Sequence, residues 1–180
     1  QQKQKGWLNN DGQTKLKSLA NVGIDETHRF SSGNEEIDRV LGGGFVEGSL
    51  VLLSGEPGVG KSTVILQIID YISSNNKTIY VSAEESEKQI AQRAIRLGVK
   101  DLNSIDCLGE AELNVIIETI KSENPKFVII DSIQTIYMED IASGPGSVSQ
   151  VRECAAQLNR LAKDTGVTMV MVGHITKDGA

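Results

Sequence analysis

Gly55-Glu56-Pro57-Gly58-Val59-Gly60-Lys61-Ser62, followed by Thr63, decides how the rest of the chain is read. It fits the phosphate-loop pattern G-x-x-x-x-G-K-[ST]. Leu50-Val51-Leu52-Leu53 comes just before, an unbroken apolar run that reads as a strand buried on both faces. Val64-Ile65-Leu66-Gln67-Ile68-Ile69 comes just after and reads as a buried helix. The motif therefore sits between strand and helix, as its chemistry requires. Glycines let backbone N–H groups turn inward around phosphate oxygens. A helix start adds unpaired N–H groups and a partial positive charge. Lys61 brings a point charge to the β- and γ-phosphates, and the Ser62 hydroxyl can ligate Mg²⁺. The competing reading, a plain glycine turn, explains neither neighbour.

Composition sets wide limits. The 180 residues suit one globular domain, and 39% apolar residues supply a core. No apolar run reaches membrane-spanning length, and Gln1 to Lys5 lacks a signal-peptide core. Cys107 and Cys154 fall inside an expected strand and an expected helix. They read as small buried residues rather than as a disulfide or metal pair, which points to a reducing cytoplasm. A net charge of −6 argues against a whole surface built for nucleic acid, while leaving room for a local basic channel.

Residues 1–28 are polar, with Trp7 and Leu8 isolated, and read as a linker or loosely docked arm before a domain over 29–180. Ser31 to Leu41 reads as a short capped helix stopped by Gly42-Gly43-Gly44. Further strands are expected over 78–82, 105–108, 127–131 and 168–172. Helices are expected from Ser86 to Leu97, Leu113 to Glu123 and Ser147 to about Thr165. Ser86 with Gln89, and Ser147 with Gln150, have capping-box spacing. Alternating strands and helices give the α/β class: a parallel sheet flanked by helices on both faces. Ligands of such sheets bind beyond the strand C-terminal ends, and the polar punctuation gathers there: the phosphate loop, Glu84, Asp131 and His174.

Each acid has two readings. Asp131 ends an apolar strand well after the phosphate loop, the Walker B arrangement for holding Mg²⁺; alone, it would be a carboxylate before a turn. Hydrolysis needs an in-line water and a base, for which Glu84 and Glu85 are available. Either also suits the first turn of a helix, and the preferred reading makes Glu84 the base and Glu85 the dipole partner. His174, one glycine beyond its strand, is either a γ-phosphate sensor or a surface loop histidine. The loop from Tyr137 to Ser149 is long and carries Ser143, Gly144, Gly146, Ser147 and Ser149, which offer donors to a phosphodiester backbone. It contains no Lys or Arg; Arg152 comes only on the helix that follows.

At this point a resemblance emerges. Leu41 to Gly44, the phosphate loop, Tyr80 to Ser86, Ile130 to Tyr137, Pro145 to Cys154 and Val172 to Lys177 together resemble the bacterial RadA (Sms) family of DNA-repair ATPases, across roughly residues 30–180. The segment around Pro145 discriminates most, since RecA-like ATPases in general do not share it. The resemblance implies a RecA-like P-loop NTPase using ATP/ADP and Mg²⁺. It implies binding of single-stranded DNA, assembly as a homo-hexamer, a possible recombinase partner and branch migration of recombination intermediates. By analogy Lys61, Ser62 and Asp131 bind nucleotide and metal, Glu84 is the base and His174 the sensor. Loop 137–149 would match a first DNA loop, with Thr176 and Lys177 opening a second. The family also implies that strand 168–172 lies between the strands carrying the phosphate loop and Asp131. Its four-cysteine zinc module, its strands beyond Lys177 and its Lon-protease-like domain are not found in this sequence. The expectation is a C-terminally incomplete core that hydrolyses ATP weakly alone. The alternative is a KaiC-like signalling ATPase whose nucleotide state controls protein assembly without DNA. A small-molecule kinase would need a cationic lid, and no Arg-rich segment supplies one.

Overall fold

The computed structural model describes Ser18 and residues 28–174. Most of the expected arm over 1–28, with Trp7 and Leu8, lies outside the described residues, as do Thr176 and Lys177.

A short antiparallel ladder comes first, β1 (Arg29–Phe30) on β2 (Phe45–Val46), with α1 (Glu35–Val40) between them. Asn34 caps α1, accepting from the N–H groups of Glu36 and Ile37. Gly42, Gly43 and Gly44 then all take positive φ, which accounts for the expected stop. Arg29 Nη1 donates to the carbonyls of Leu41 (2.9 Å) and Gly44 (3.0 Å), tying the turn to the ladder. Gly44 has φ +105, and a Cβ there would lie 2.4 Å from the Phe30 carbonyl oxygen. Gly44→Ala is therefore expected to lower stability by about 2–4 kcal/mol, read as a shift of the urea midpoint with an unchanged slope.

The main sheet has five parallel strands: β3 (Leu50–Gly55), β4 (Thr78–Ser82), β5 (Ile105–Leu108), β6 (Phe127–Asp131) and β7 (Thr168–His174), in the order β3-β7-β6-β4-β5. The expected placement of the last strand between those carrying the phosphate loop and Asp131 is borne out. Side chains alternate across the pleat. Ile79, Val81, Val128, Ile130, Met169 and Met171 face α4 (Leu113–Glu123) and α5 (Val148–Thr165). Tyr80, Phe127, Ile129, Val170 and Val172 face α2 (Lys61–Ser73) and α3 (Glu87–Arg96). Each fully buried Ile or Phe contributes roughly 1.5–3 kcal/mol of transfer free energy, which is why the interiors of the three central strands are largely apolar. At the sheet's lower end Phe30, Phe45 and Phe127 stack with centroids 5.2–6.2 Å apart, joining the β1–β2 ladder to the core.

Three local expectations need correction. β3 is not buried on both faces: it is an edge strand among the described residues, and Leu52 is 57% exposed. β7 does not end at Val172 but continues to His174, whose register partner is Gly55. The box expected at Ser147 is half formed. Ser147 Oγ accepts from the Gln150 N–H, but the Gln150 side chain turns inward to the loop before α5. The box at Ser86 and Gln89 is complete. Cys154 is buried, and burial pushes its thiol up to about 11, in keeping with an inert core residue; Cys107 is half-buried.

Candidate nucleotide site

The phosphate loop runs from Gly55, at the end of β3, to the start of α2. Gly60 is the N-cap of α2, with φ +94, and makes no side-chain cap bond. No acid occupies the first turn. A Cβ at Gly58 or Gly60 would meet nothing within 4 Å. The loop thus leaves backbone N–H groups and a positive helix end uncompensated by side chains, which fits an anion such as a nucleotide phosphate. Lys61 is buried, and its Nζ donates to the carbonyls of Gly55 and Glu56, both at 2.7 Å. Its ammonium is therefore held over the loop rather than extended into solvent.

Strand register carries the other groups to the same edge. Gly55 pairs with His174, Asp131 with Val172, and Ser82 with Asp131. The ends of β3, β7, β6 and β4 are thus adjacent in that order. Glu84, two residues beyond β4, accepts a hydrogen bond from Ser132 Oγ at 2.8 Å, directly beside Asp131. His174 Nε2 lies 3.8 Å from the same Glu84 oxygen. Its Nδ1 is buried without a hydrogen-bond partner among the described residues. Glu84, Asp131, Ser132 and His174 therefore form one cluster at the edge from which the phosphate loop springs. The donor set suits Mg²⁺ with a nucleotide: a hard hydroxyl oxygen (Ser62) and one carboxylate (Asp131), the few protein ligands this ion takes when phosphates and water supply the rest.

Glu85 has a different partner from the one expected. It lies ahead of the Ser86 N-cap, outside the helix, and its Oε1 takes a 2.7 Å ion pair from Arg93 Nη1 on α3. Glu87 is the first-turn acid. Arg93 also donates to the Tyr80 hydroxyl at 3.2 Å, and that hydroxyl donates to Asp131 Oδ2 at 2.5 Å. Burial, reinforced by the Asp131 charge, holds the Tyr80 phenol far above its ordinary value, so it remains a donor.

Gln134, three residues beyond β6, is bonded to the main chain of His174. Its Nε2 donates to the His174 carbonyl at 3.0 Å and its Oε1 accepts the His174 N–H at 3.3 Å. Gly146 sits so close that a Cβ there would lie 3.3 Å from the Gln134 carbonyl oxygen. Loop 137–149 is pinned from inside by Gln150, which is 1% exposed. Its amide accepts from Met138 N–H (2.9 Å) and donates to the carbonyls of Met138 (3.0 Å), Ile141 (3.3 Å) and Ser143 (2.9 Å). The hydroxyls of Ser143, Ser147 and Ser149 bond to one another, at 2.5–3.4 Å.

A family profile described as the AAA domain matches residues 18–180. The chain belongs to the AAA domain family. Within its AAA domain, residues 55–63 form the loop described above. The DNA repair protein RadA of Salmonella typhimurium is 49% identical over 97% of this chain and 38% of its own length. That of Escherichia coli is 48% identical over 97% and 38%, and that of Bacillus subtilis 48% over 90% and 35%. The resemblance to RadA proteins seen in the motifs is thus borne out, and the chain spans well under half the length of these relatives. A solved KaiC-like protein from Pyrococcus horikoshii superposes with a TM-score of 0.64 at 24% identity, over 82% of this chain and 71% of its own. That likeness is one of fold, and with the strand order it bears out the RecA-like P-loop architecture. Among the described residues no helix is long and apolar enough to cross a membrane.

Proposed function

We propose that this AAA domain is the ATP-hydrolysing core of a RadA-type DNA-repair motor, acting in the cytoplasm on single-stranded DNA and recombination intermediates. The observation that supports the reading is the hydrogen bond from Ser132 to Glu84, which holds the Glu84 carboxylate next to the residue that follows Asp131, at the phosphate-loop edge. ATP/ADP would be held by Gly55, Glu56, Pro57, Gly58, Val59, Gly60, Lys61, Ser62 and Thr63. Ser62 and Asp131 would hold Mg²⁺, which would supply positive charge to offset the charge developing on the phosphate. Glu84 accepts the proton of the attacking water as its oxygen bonds to the γ-phosphorus and the bond to ADP breaks. Lys61 stabilises the charge growing on the phosphate oxygens. His174 faces the γ-phosphate and reports its presence. Loop 137–149 contacts the DNA backbone, and the full-length protein works as a hexameric ring that drives branch migration, with a recombinase as possible partner.

The test is the ATPase rate of the full-length protein with and without single-stranded DNA. A rise of roughly tenfold or more on saturation is expected for a motor whose turnover is gated by its track. An unchanged rate, with nucleotide-dependent assembly retained, would favour a KaiC-like signalling ATPase instead. The RadA relatives carry the DNA reading; the KaiC-like likeness extends only to fold.

A further inference from the structure

We propose that Tyr80 and Arg93 form a positioning relay that orients Asp131 for a divalent cation, an inference that rests on the reading of Asp131 as the metal carboxylate. Tyr80 stands opposite Ile129 in the β4–β6 ladder, and Asp131 is two residues further along the same face. The Tyr80 side chain is long enough to reach this diagonal neighbour, and its hydroxyl lies 2.5 Å from Asp131 Oδ2. The ring is fully buried in the apolar cluster with Phe127 and Ile129, where a phenylalanine would pack as well. What tyrosine adds is a polar atom in the core, which is costly unless bonded.

The polarity of the relay is set by proton inventory. Guanidinium has no acceptor, so Arg93 Nη2 must donate to the phenol oxygen. The phenol has one hydrogen, and it goes to Asp131 Oδ2. Among the described residues Tyr80 is the side chain that donates to this carboxylate, leaving Oδ1 for a cation. Glu85 fixes the guanidinium from the other side, and the Arg93 side chain is only 16% exposed. Glu85, Arg93, Tyr80 and Asp131 thus link the end of β4, helix α3 and the end of β6. A network that only stabilised the fold would not need to terminate on the metal carboxylate.

The experiment titrates Mg²⁺ into the full-length protein with a fluorescent ATP analogue and reads binding rather than turnover. Tyr80→Phe is expected to bind the analogue without Mg²⁺ as wild type does. Its Mg²⁺ midpoint should rise roughly ten- to a hundredfold, as for a lost hydrogen bond to a charged group. Arg93→Met should shift the midpoint in the same direction, and adding it to Tyr80→Phe should produce no further shift. An unchanged midpoint for Tyr80→Phe, with a raised one for Asp131→Asn, overturns the relay and leaves the metal reading standing. An unchanged midpoint for Asp131→Asn overturns both.

Discussion

Lys61→Ala is expected to weaken ATP binding at least a hundredfold, measured by fluorescence titration of the full-length protein, and to abolish measurable turnover. The physical ground is specific. The Lys61 ammonium is buried and already satisfied by the carbonyls of Gly55 and Glu56 at 2.7 Å each. An incoming phosphate exchanges those neutral acceptors for anionic oxygens, adding a full charge–charge attraction to the hydrogen bonds the ammonium already makes. Losing a point charge from the β/γ position leaves only backbone N–H donors and the helix end. A hundredfold loss corresponds to about 2.7 kcal/mol, within the range of one desolvated charge contact. Unimpaired binding in this variant would mean that the loop does not grip a triphosphate, and the nucleotide assignment would fall with it.

Glu84→Gln should separate binding from chemistry. The substitution is isosteric, and the Ser132 hydroxyl can donate to the amide oxygen as it does to the carboxylate, so the cluster keeps its shape. Nucleotide affinity is expected to stay within threefold of wild type. On the base role proposed for Glu84, kcat should fall by roughly 10²–10⁴, the usual yield of a positioned base. Single-turnover hydrolysis with excess enzyme measures this directly. Near-normal turnover would remove the base role from Glu84. Glu85 would be a poor substitute, because its carboxylate is committed to Arg93.

The parts of this architecture visible in the sequence are those set by local pattern. Three central strands announce themselves because both faces are buried, leaving no polar positions between Phe127 and Ile130. The Ser86 cap is legible because its two partners are three residues apart and nothing competes for them. The misreadings came where distant groups compete for a side chain. Gln150 has the right spacing to complete a cap, but four loop groups claim its amide instead. Glu85 looks like a helix-dipole acid until Arg93, two turns away, takes it. Leu50 to Leu53 is as apolar as a central strand, yet among the described residues sheet order leaves β3 at the edge. In the site, Glu84, Asp131 and His174 were foreseen together. Ser132, Tyr80 and Gln134 were not singled out, because a serine after an acid or a tyrosine in a strand signals nothing until register shows what lies opposite. A polar-tipped residue in an otherwise apolar strand is the one clue that pointed to Tyr80.

Gln134 has a consequence of its own. Beyond Asp131 the β6 backbone leaves the sheet, and the amide of Gln134 takes over as neighbour to the main chain of His174. A side chain is thus acting as a surrogate strand, fastened by two neutral bonds. Unfastening both costs roughly 1–3 kcal/mol, comparable to a typical coupling free energy between two ligands. His174 is therefore braced on one side by the Gln134 side chain and on the other by its register partner Gly55, and the glycine-rich bend seated against Gln134 backs that brace without joining the sheet.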